Sequence, residues 1–140
     1  MGAITIDLPY PPTVNHYWQA IRVRKSGALS FKIGQAGRAF RDQVVCQVML
    51  SRLAAKKWDL PLSPPLYVSI DVCPPDKRRR DLDNILKPLL DALEHAGVYR
   101  DDCEISSLMI RRIDHAPPDA QKRGGVTVSV YGDNGSLQKL

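Results

Sequence analysis

Two carboxylates, Asp81 and Asp83, directly follow four consecutive cations, Lys77 to Arg80, in this chain of 140 residues. A second acidic step, Asp101-Asp102, comes later in the chain. Carboxylate oxygens are the ligands that Mg²⁺ prefers, and two or three of them suffice when a substrate phosphate completes the site. The pattern therefore indicates chemistry in which a divalent cation is held beside a phosphate.

Lys87 stands one helical turn after Asp83 in sequence. In a metal-assisted phosphodiesterase, a lysine there can contact the scissile phosphate or orient the attacking water, while the preceding arginines neutralise neighbouring phosphates. A structural alternative remains open: Asp81 as a helix N-cap, Asp83 as a first-turn acid favoured by the helix dipole, and Asp83–Lys87 as a surface ion pair. That alternative does not explain the four preceding cations.

The residues after Asp81 carry an apolar stripe with helical spacing that continues to Ala96. This predicts an amphipathic helix with Asp81 at its N-cap and Gly97 as a left-handed C-terminal residue. Pro88 lies within the predicted helix and should bend it, because proline cannot donate a hydrogen bond to the carbonyl of Asn84.

Three segments alternate between apolar and polar residues and are predicted to be strands: 3–8, 66–73 and 126–130. Residues 105–113 also carry strand character and are predicted to be a fourth strand. A long helix is predicted over 35–57. The predicted order is β-α-β-α-β-β, which favours an α+β fold with a mixed β-sheet packed on one face by its two main helices. The length indicates a single domain spanning residues 1–140.

A net charge of +5 and a pI near 9.3 indicate an acidic partner, most simply nucleic acid. Between Asn15 and Gly27, Tyr17 and Trp18 are followed by Arg22, Arg24 and Lys25. Aromatic rings interleaved with cations suit a loop that binds nucleic acid by stacking and phosphate contacts. A solvated loop with one or two tucked aromatics is the alternative.

No apolar run approaches the ~20 residues needed for a membrane span. The N-terminal residues do not form a signal-peptide pattern, since Asp7 and Pro9 interrupt them. The cysteines at 46, 73 and 103 include no C-x-x-C pair, so neither a zinc site nor a redox motif is indicated. We therefore expect reduced cysteines, a cytoplasmic location and no membrane partner.

Several of these motifs together resemble those of one known family. The segment Arg78 to Lys87 reads RRRDLDN-x-x-K, and Leu8 to Tyr17 reads LP-x-PP-x-x-N-x-Y. Further matching segments are Asp91-Ala92-Leu93, Ala96-Gly97, Asp101-Asp102 and Lys122 to Gly125. The sequence is similar to the RusA-type Holliday junction resolvases, small endodeoxyribonucleases of bacteria and their prophages.

The resemblance implies a homodimer that binds four-way junction DNA during recombination and repair, and makes paired, symmetric incisions with Mg²⁺, for which Mn²⁺ can substitute. It implies that Asp81, Asp83 and Asp102 are the catalytic acids and metal ligands, with Asp101 a lesser candidate, and that Lys87 is the essential lysine. Two rival functions remain: a junction-binding protein without nuclease activity, and a nuclease for other branched DNA.

The basic side chains expected to follow the DNA backbone are spread along the chain. The candidate DNA-binding residues are Arg22, Arg24, Lys25, Lys77, Arg78, Arg79, Arg80, Arg111, Arg112, Lys122 and Arg123.

Overall fold

The computed structural model describes residues 2–55, 59–113 and 124–133. Six strands and three α-helices lie in these ranges. They are β1 (Gly2–Leu8), α1 (Val14–Tyr17), β2 (Trp18–Arg22), β3 (Leu29–Ile33), α2 (Gln35–Ala55), β4 (Ser63–Cys73), α3 (Leu86–His95), β5 (Ile105–Arg112) and β6 (Gly125–Asp133). Two 3₁₀ segments, Leu82–Ile85 and Asp102–Glu104, precede α3 and β5.

The main sheet has four strands in the order β1-β6-β4-β5. The β1–β6 and β6–β4 pairs are antiparallel, whereas β4 and β5 are parallel. A parallel pair needs a long crossover, which the segment containing α3 supplies. The predicted α+β class with a mixed sheet and two main helices is confirmed.

Alternation along the strands places one face of this sheet in the core. On β4, Leu66, Val68, Ile70 and Val72 are buried, and the residues between them are more exposed. The same period appears in β1 and β6. Buried side chains from α2 and α3 join these residues in one hydrophobic cluster, so both long helices cover the same face of the sheet.

Short helix α1 and the two-stranded hairpin β2–β3 occupy a segment that the sequence analysis treated as a loop. The predicted order β-α-β-α-β-β was therefore incomplete. The overlooked signal is the alternation of Leu29, Phe31 and Ile33 with polar residues. Leu29 and Phe31 are exposed in the structure, so these strands contribute little to the core.

The start of α3 also differs from the prediction. Asp81 makes no side-chain capping bond, and residues 82–85 form a 3₁₀ segment before the α-helix begins at Leu86. Pro88 therefore lies in the first turn of α3, where backbone N–H groups have no α-helical partner to lose. The prediction that Pro88 bends a continuous helix was therefore wrong.

The predicted end of α3 is confirmed. Gly97 follows the helix with φ +81°, and its N–H bonds to the carbonyl of Glu94 at 3.0 Å. Among the described residues, none of the helices has the length and apolarity to cross a bilayer.

Gly124 is expected to be the least replaceable glycine with positive φ. It has φ +67°, and a Cβ there would lie 2.8 Å from the backbone nitrogen of Pro75. At Gly97, by contrast, a Cβ would meet nothing within 4 Å. Gly97→Ala should cost about 1 kcal/mol of unfolding free energy from backbone strain alone. Gly124→Ala should cost about 2 kcal/mol more, because the clash involves backbone.

Urea denaturation of both variants checks this expectation. Equal losses of stability would show that Gly124 does not approach Pro75 as described.

Candidate active site

After α3 the chain runs back along the same helix. The hydroxyl of buried Tyr99 donates to the carbonyl of Leu90 at 2.6 Å, and the N–H of Val98 donates to the carbonyl of Leu93 at 3.1 Å. A helix of ten residues is about 15 Å long, and about six extended residues cover that distance in reverse. The return therefore brings Asp102 back to the first turn of α3.

At that turn, Lys87 Nζ donates to Asp102 Oδ2 at 2.6 Å. The hydrogen bond that Lys87 donates to Asp102 raises the pKa of Lys87, and this outweighs the opposing effect of burial. Lys87 is therefore a cation at neutral pH, suited to electrostatic contact with a phosphate rather than to accepting a proton. The expected Asp83–Lys87 surface pair is absent from the described ion pairs, since Lys87 bonds to Asp102 instead.

Asp81 and Asp83 lie at the 3₁₀ segment before α3, and both are exposed. Within the described ranges, no side-chain hydrogen bond or ion pair engages either carboxylate. Asp81 borders a cleft of about 300 Å³. The cleft is lined by Tyr10, Thr13, Arg79, Arg80, Asp81, Asn84 and Ile85. Cationic, anionic and amide groups thus converge on one open space.

In the described part of the chain, no three side chains of Asp, Glu, His or Cys are grouped so that they could hold a metal ion by themselves. The structure brings Asp102 to Lys87 and places Asp81 beside Arg79 and Arg80. The metal-binding roles of Asp81, Asp83 and Asp102, and the lesser role of Asp101, remain predictions.

Asp76, which the sequence analysis did not select, organises the basic run. Its carboxylate accepts bonds from both terminal nitrogens of Arg80 and from the backbone N–H of Arg78. These bonds, led by the one from Arg80, hold the pKa of Asp76 well below its usual range. Arg112 Nη2 donates to the carbonyl of Arg80 at 2.6 Å, which joins the end of β5 to this run. The side chain and the backbone of Arg80 are therefore both held in place by hydrogen bonds.

The other proposed DNA-binding cations occupy three further places. Lys77, Arg78 and Arg79 are exposed beside Arg80, and Arg22, Arg24 and Lys25 are exposed at the turn of the hairpin. Arg111 bonds to Asp71 at 2.5 Å on the sheet face opposite the helices, so its charge is locally compensated. Lys122 and Arg123 lie outside the described residues.

A second cluster, Tyr17–Arg41–Asp91, links all three helices and was not found from sequence. The Tyr17 hydroxyl donates to Asp91, and Arg41 donates to Tyr17 Oη at 2.7 Å and to Asp91 Oδ2 at 2.5 Å. Burial, followed by the bond to Asp91, raises the pKa of Tyr17. Burial also raises the pKa of Asp91, but the bonds from Arg41 and Tyr17 outweigh it and leave that pKa below its usual value.

The chain is thus an α+β protein in which acidic residues, a lysine and an arginine run lie around the start of one helix. The chain belongs to the RusA family: the family described as Endodeoxyribonuclease RusA matches residues 9–131. The resemblance seen in the sequence is thereby confirmed.

Named relatives agree with this assignment. The chain is 39% identical over 112 residues to the crossover junction endodeoxyribonuclease rusA of Enterobacteria phage HK97, covering 80% of this chain and 84% of the relative. It is 36% identical over 105 residues to the enzyme of the same name from Shigella sonnei (strain Ss046), covering 75% of this chain and 78% of the relative. The protein of Enterobacteria phage 82 is 37% identical over the same coverage.

Asp91→Asn is expected to lower the free energy of unfolding by about 3 kcal/mol at pH 7, because it leaves the Arg41 guanidinium without its counter-charge. The pKa of Asp91 is lower in the folded state. Its stabilising contribution is therefore complete above the unfolded value of about 4, and is lost as pH falls through the folded value.

Urea unfolding of parent and variant at pH 7 and pH 3 measures both effects. Asp42→Asn, an exposed acid one position after Arg41, is the control and should change stability by less than about 0.5 kcal/mol. If Asp91→Asn lowers the free energy of unfolding by as much at pH 3 as at pH 7, the assigned role of Asp91 is contradicted.

Proposed function

We propose that this protein is a Holliday junction endodeoxyribonuclease that acts as a homodimer on four-way DNA and makes paired, symmetric incisions. The observation that carries the proposal is the Lys87–Asp102 contact at the first turn of α3, next to the exposed acids Asp81 and Asp83. Membership in a family whose named relatives are crossover junction endodeoxyribonucleases supports it.

The donor set suits Mg²⁺, because exposed carboxylates at the start of a helix are oxygen ligands of the kind that ion takes. Asp81, Asp83 and Asp102 would hold it. Mg²⁺ commonly binds through one or two carboxylates and completes its coordination with substrate phosphate and water, so a full set of protein ligands is not required before DNA arrives. When bound, the ion stabilises negative charge on the phosphate and activates water; Mn²⁺ can substitute.

Lys87 is proposed to contact a non-bridging oxygen of the scissile phosphate. Its raised pKa keeps it charged, so it can stabilise negative charge as this develops during phosphodiester cleavage. Asp102 holds the ammonium group in place at the first turn of α3. Arg79, which lines the cleft beside Asp81, is positioned to neutralise a flanking phosphate. Arg80 lines the same cleft, but its charge is compensated by Asp76.

A homodimer is proposed because the substrate itself is symmetric. A four-way junction has approximate two-fold symmetry, and a C₂ dimer offers it two equivalent sites. Paired cuts then leave two nicked duplexes. The excess of positive charge on the chain favours binding to the bent backbones of the junction, and we place this activity in the cytoplasm.

Asp83→Asn should reduce cleavage of a labelled four-way junction by about 100-fold or more, because one anionic ligand is lost. Junction binding should be unchanged or tighter, since one repulsive charge near phosphate is gone. The assays are cleavage with Mg²⁺ and gel-shift binding without it. Asp42→Asn is the matched control and should behave as the parent in both assays.

Two results would contradict the proposal. Parent protein that binds junctions and never cuts them would be a binding protein without nuclease activity. Asp83→Asn protein that cuts at the parental rate would remove Asp83 from the site. Competition with three-way and linear DNA separates a junction enzyme from a nuclease for other branched DNA.

Junction affinity should fall steeply with salt, because several phosphates are neutralised. Arg79→Gln should reduce the slope of log affinity against log salt by about one. Arg111→Gln should change that slope much less, because Asp71 already compensates Arg111. Fluorescence anisotropy between about 50 and 200 mM salt measures these slopes. Equal effects of the two substitutions would show that Arg79 makes no special phosphate contact.

A further inference from the structure

The β2–β3 hairpin presents an exposed apolar face. Its register pairs Trp18 with Ile33 and Ala20 with Phe31, so these side chains share one face. Phe31 is 67% exposed although it is a large aromatic residue. It borders an open groove of about 570 Å³, whose other lining residues are Val14, Asn15, Trp18 and Ala20. The groove has the size and the aromatic walls of a site for a planar apolar group.

The surroundings of this groove are positively charged. Residues 8–41 include no Asp or Glu, and they carry six basic residues. These are Arg22, Arg24, Lys25, Lys32, Arg38 and Arg41. The first four belong to the hairpin and its turn, whereas the charge of Arg41 is compensated by Asp91. A second copy of this face would bring like charges together, whereas a polyanion with planar apolar groups would be complementary. Nucleic acid has both properties.

The groove lies next to the candidate active site. Thr13 lines the cleft that Asp81 borders, and the next two residues, Val14 and Asn15, line the groove. Tyr17 holds this segment to α3 through its bond to Asp91, one turn after Lys87. The cleft beside Asp81 and the groove are therefore lined by consecutive residues of the chain.

We propose that this groove binds a nucleobase that has left the base stack at the branch point, with the base stacked on Phe31 and its edge facing the Asn15 amide. The inference rests on the proposed function and adds a specificity element to it. Removing a base from a continuous duplex costs stacking and pairing energy, and that cost is lowest where pairing is already interrupted. The groove thus adds affinity for branched DNA and little for linear duplex.

The first test compares three substitutions of Phe31 by fluorescence anisotropy, in EDTA so that DNA is not cut. Phe31→Ala should weaken junction binding about ten-fold, which is typical of the loss of one stacked base. Phe31→Leu, which stays apolar but lacks a ring, should lose nearly as much, and Phe31→Trp should retain the affinity. Binding to linear duplex should change by less than about two-fold in all three.

Two control variants define the baseline. Leu53→Ala removes an apolar side chain that is 71% exposed on α2, away from the hairpin, and should leave both affinities unchanged. Lys25→Gln removes a phosphate contact and should weaken junction and duplex binding by similar factors. Circular dichroism verifies that each variant is folded. If Phe31→Ala unfolds, Phe31→Leu still tests whether the aromatic ring is needed for junction binding.

The second test pairs protein and DNA changes. Junctions with a single abasic site at each branch-proximal position should show one position where parent affinity falls about ten-fold and Phe31→Ala affinity falls no further. If the affinity losses from the abasic site and from Phe31→Ala multiply at every position tested, the inference is overturned. It is also overturned if Phe31→Ala weakens junction and duplex binding equally.

A change in oligomeric state on Phe31→Ala, measured by light scattering, would also overturn the inference, because the face would then be a protein interface. Parent protein that neither binds nor cuts junctions would refute the proposed function itself. Parent protein that cuts junctions normally, with Phe31 variants of unchanged selectivity, would refute only the role of the groove.

Discussion

The carboxylate of Asp91 is the point at which three helices are joined. Through Tyr17 it holds α1, through Arg41 it holds α2, and it belongs to α3 itself. Partly buried polar groups of this kind are costly when a partner is missing, so docking of the three elements is favoured together. Lys87 lies one turn before Asp91, and the hairpin begins directly after Tyr17. The positions of Lys87 and of the hairpin are therefore set by one shared contact.

Sequence patterns predicted the elements that build the core. The alternation in β1, β4 and β6 and the apolar stripe of α3 are direct consequences of burying one face. The hairpin escaped prediction because the aromatic and basic residues between Asn15 and Gly27 suited a loop, although Leu29, Phe31 and Ile33 alternate with polar residues. The true start of α3 was missed because Asp81 had the right residue type for a cap, although its side chain makes no capping bond.

The candidate site was only partly visible in the sequence. The spacing of Asp81, Asp83 and Lys87 placed them at one helix start, and this needs no tertiary information. The Lys87–Asp102 contact depends on the path of the returning chain, which Tyr99 fixes by bonding to α3. The Arg41–Asp91 pair joins residues far apart in the chain, so no local rule could identify it. Such contacts are determined by the docking of elements, not by periodicity.

The hairpin forms a sheet of its own among the described strands, with no ladder to the four-stranded sheet. The length of the hairpin and the identity of its exposed side chains can therefore vary during evolution without disturbing the strands beneath α2 and α3. The substrate preference proposed for the hairpin and the chemistry proposed for the residues around α3 would thus lie in separable parts of one small chain. This makes residues 18–33 a natural segment to exchange between relatives when engineering chimaeric enzymes.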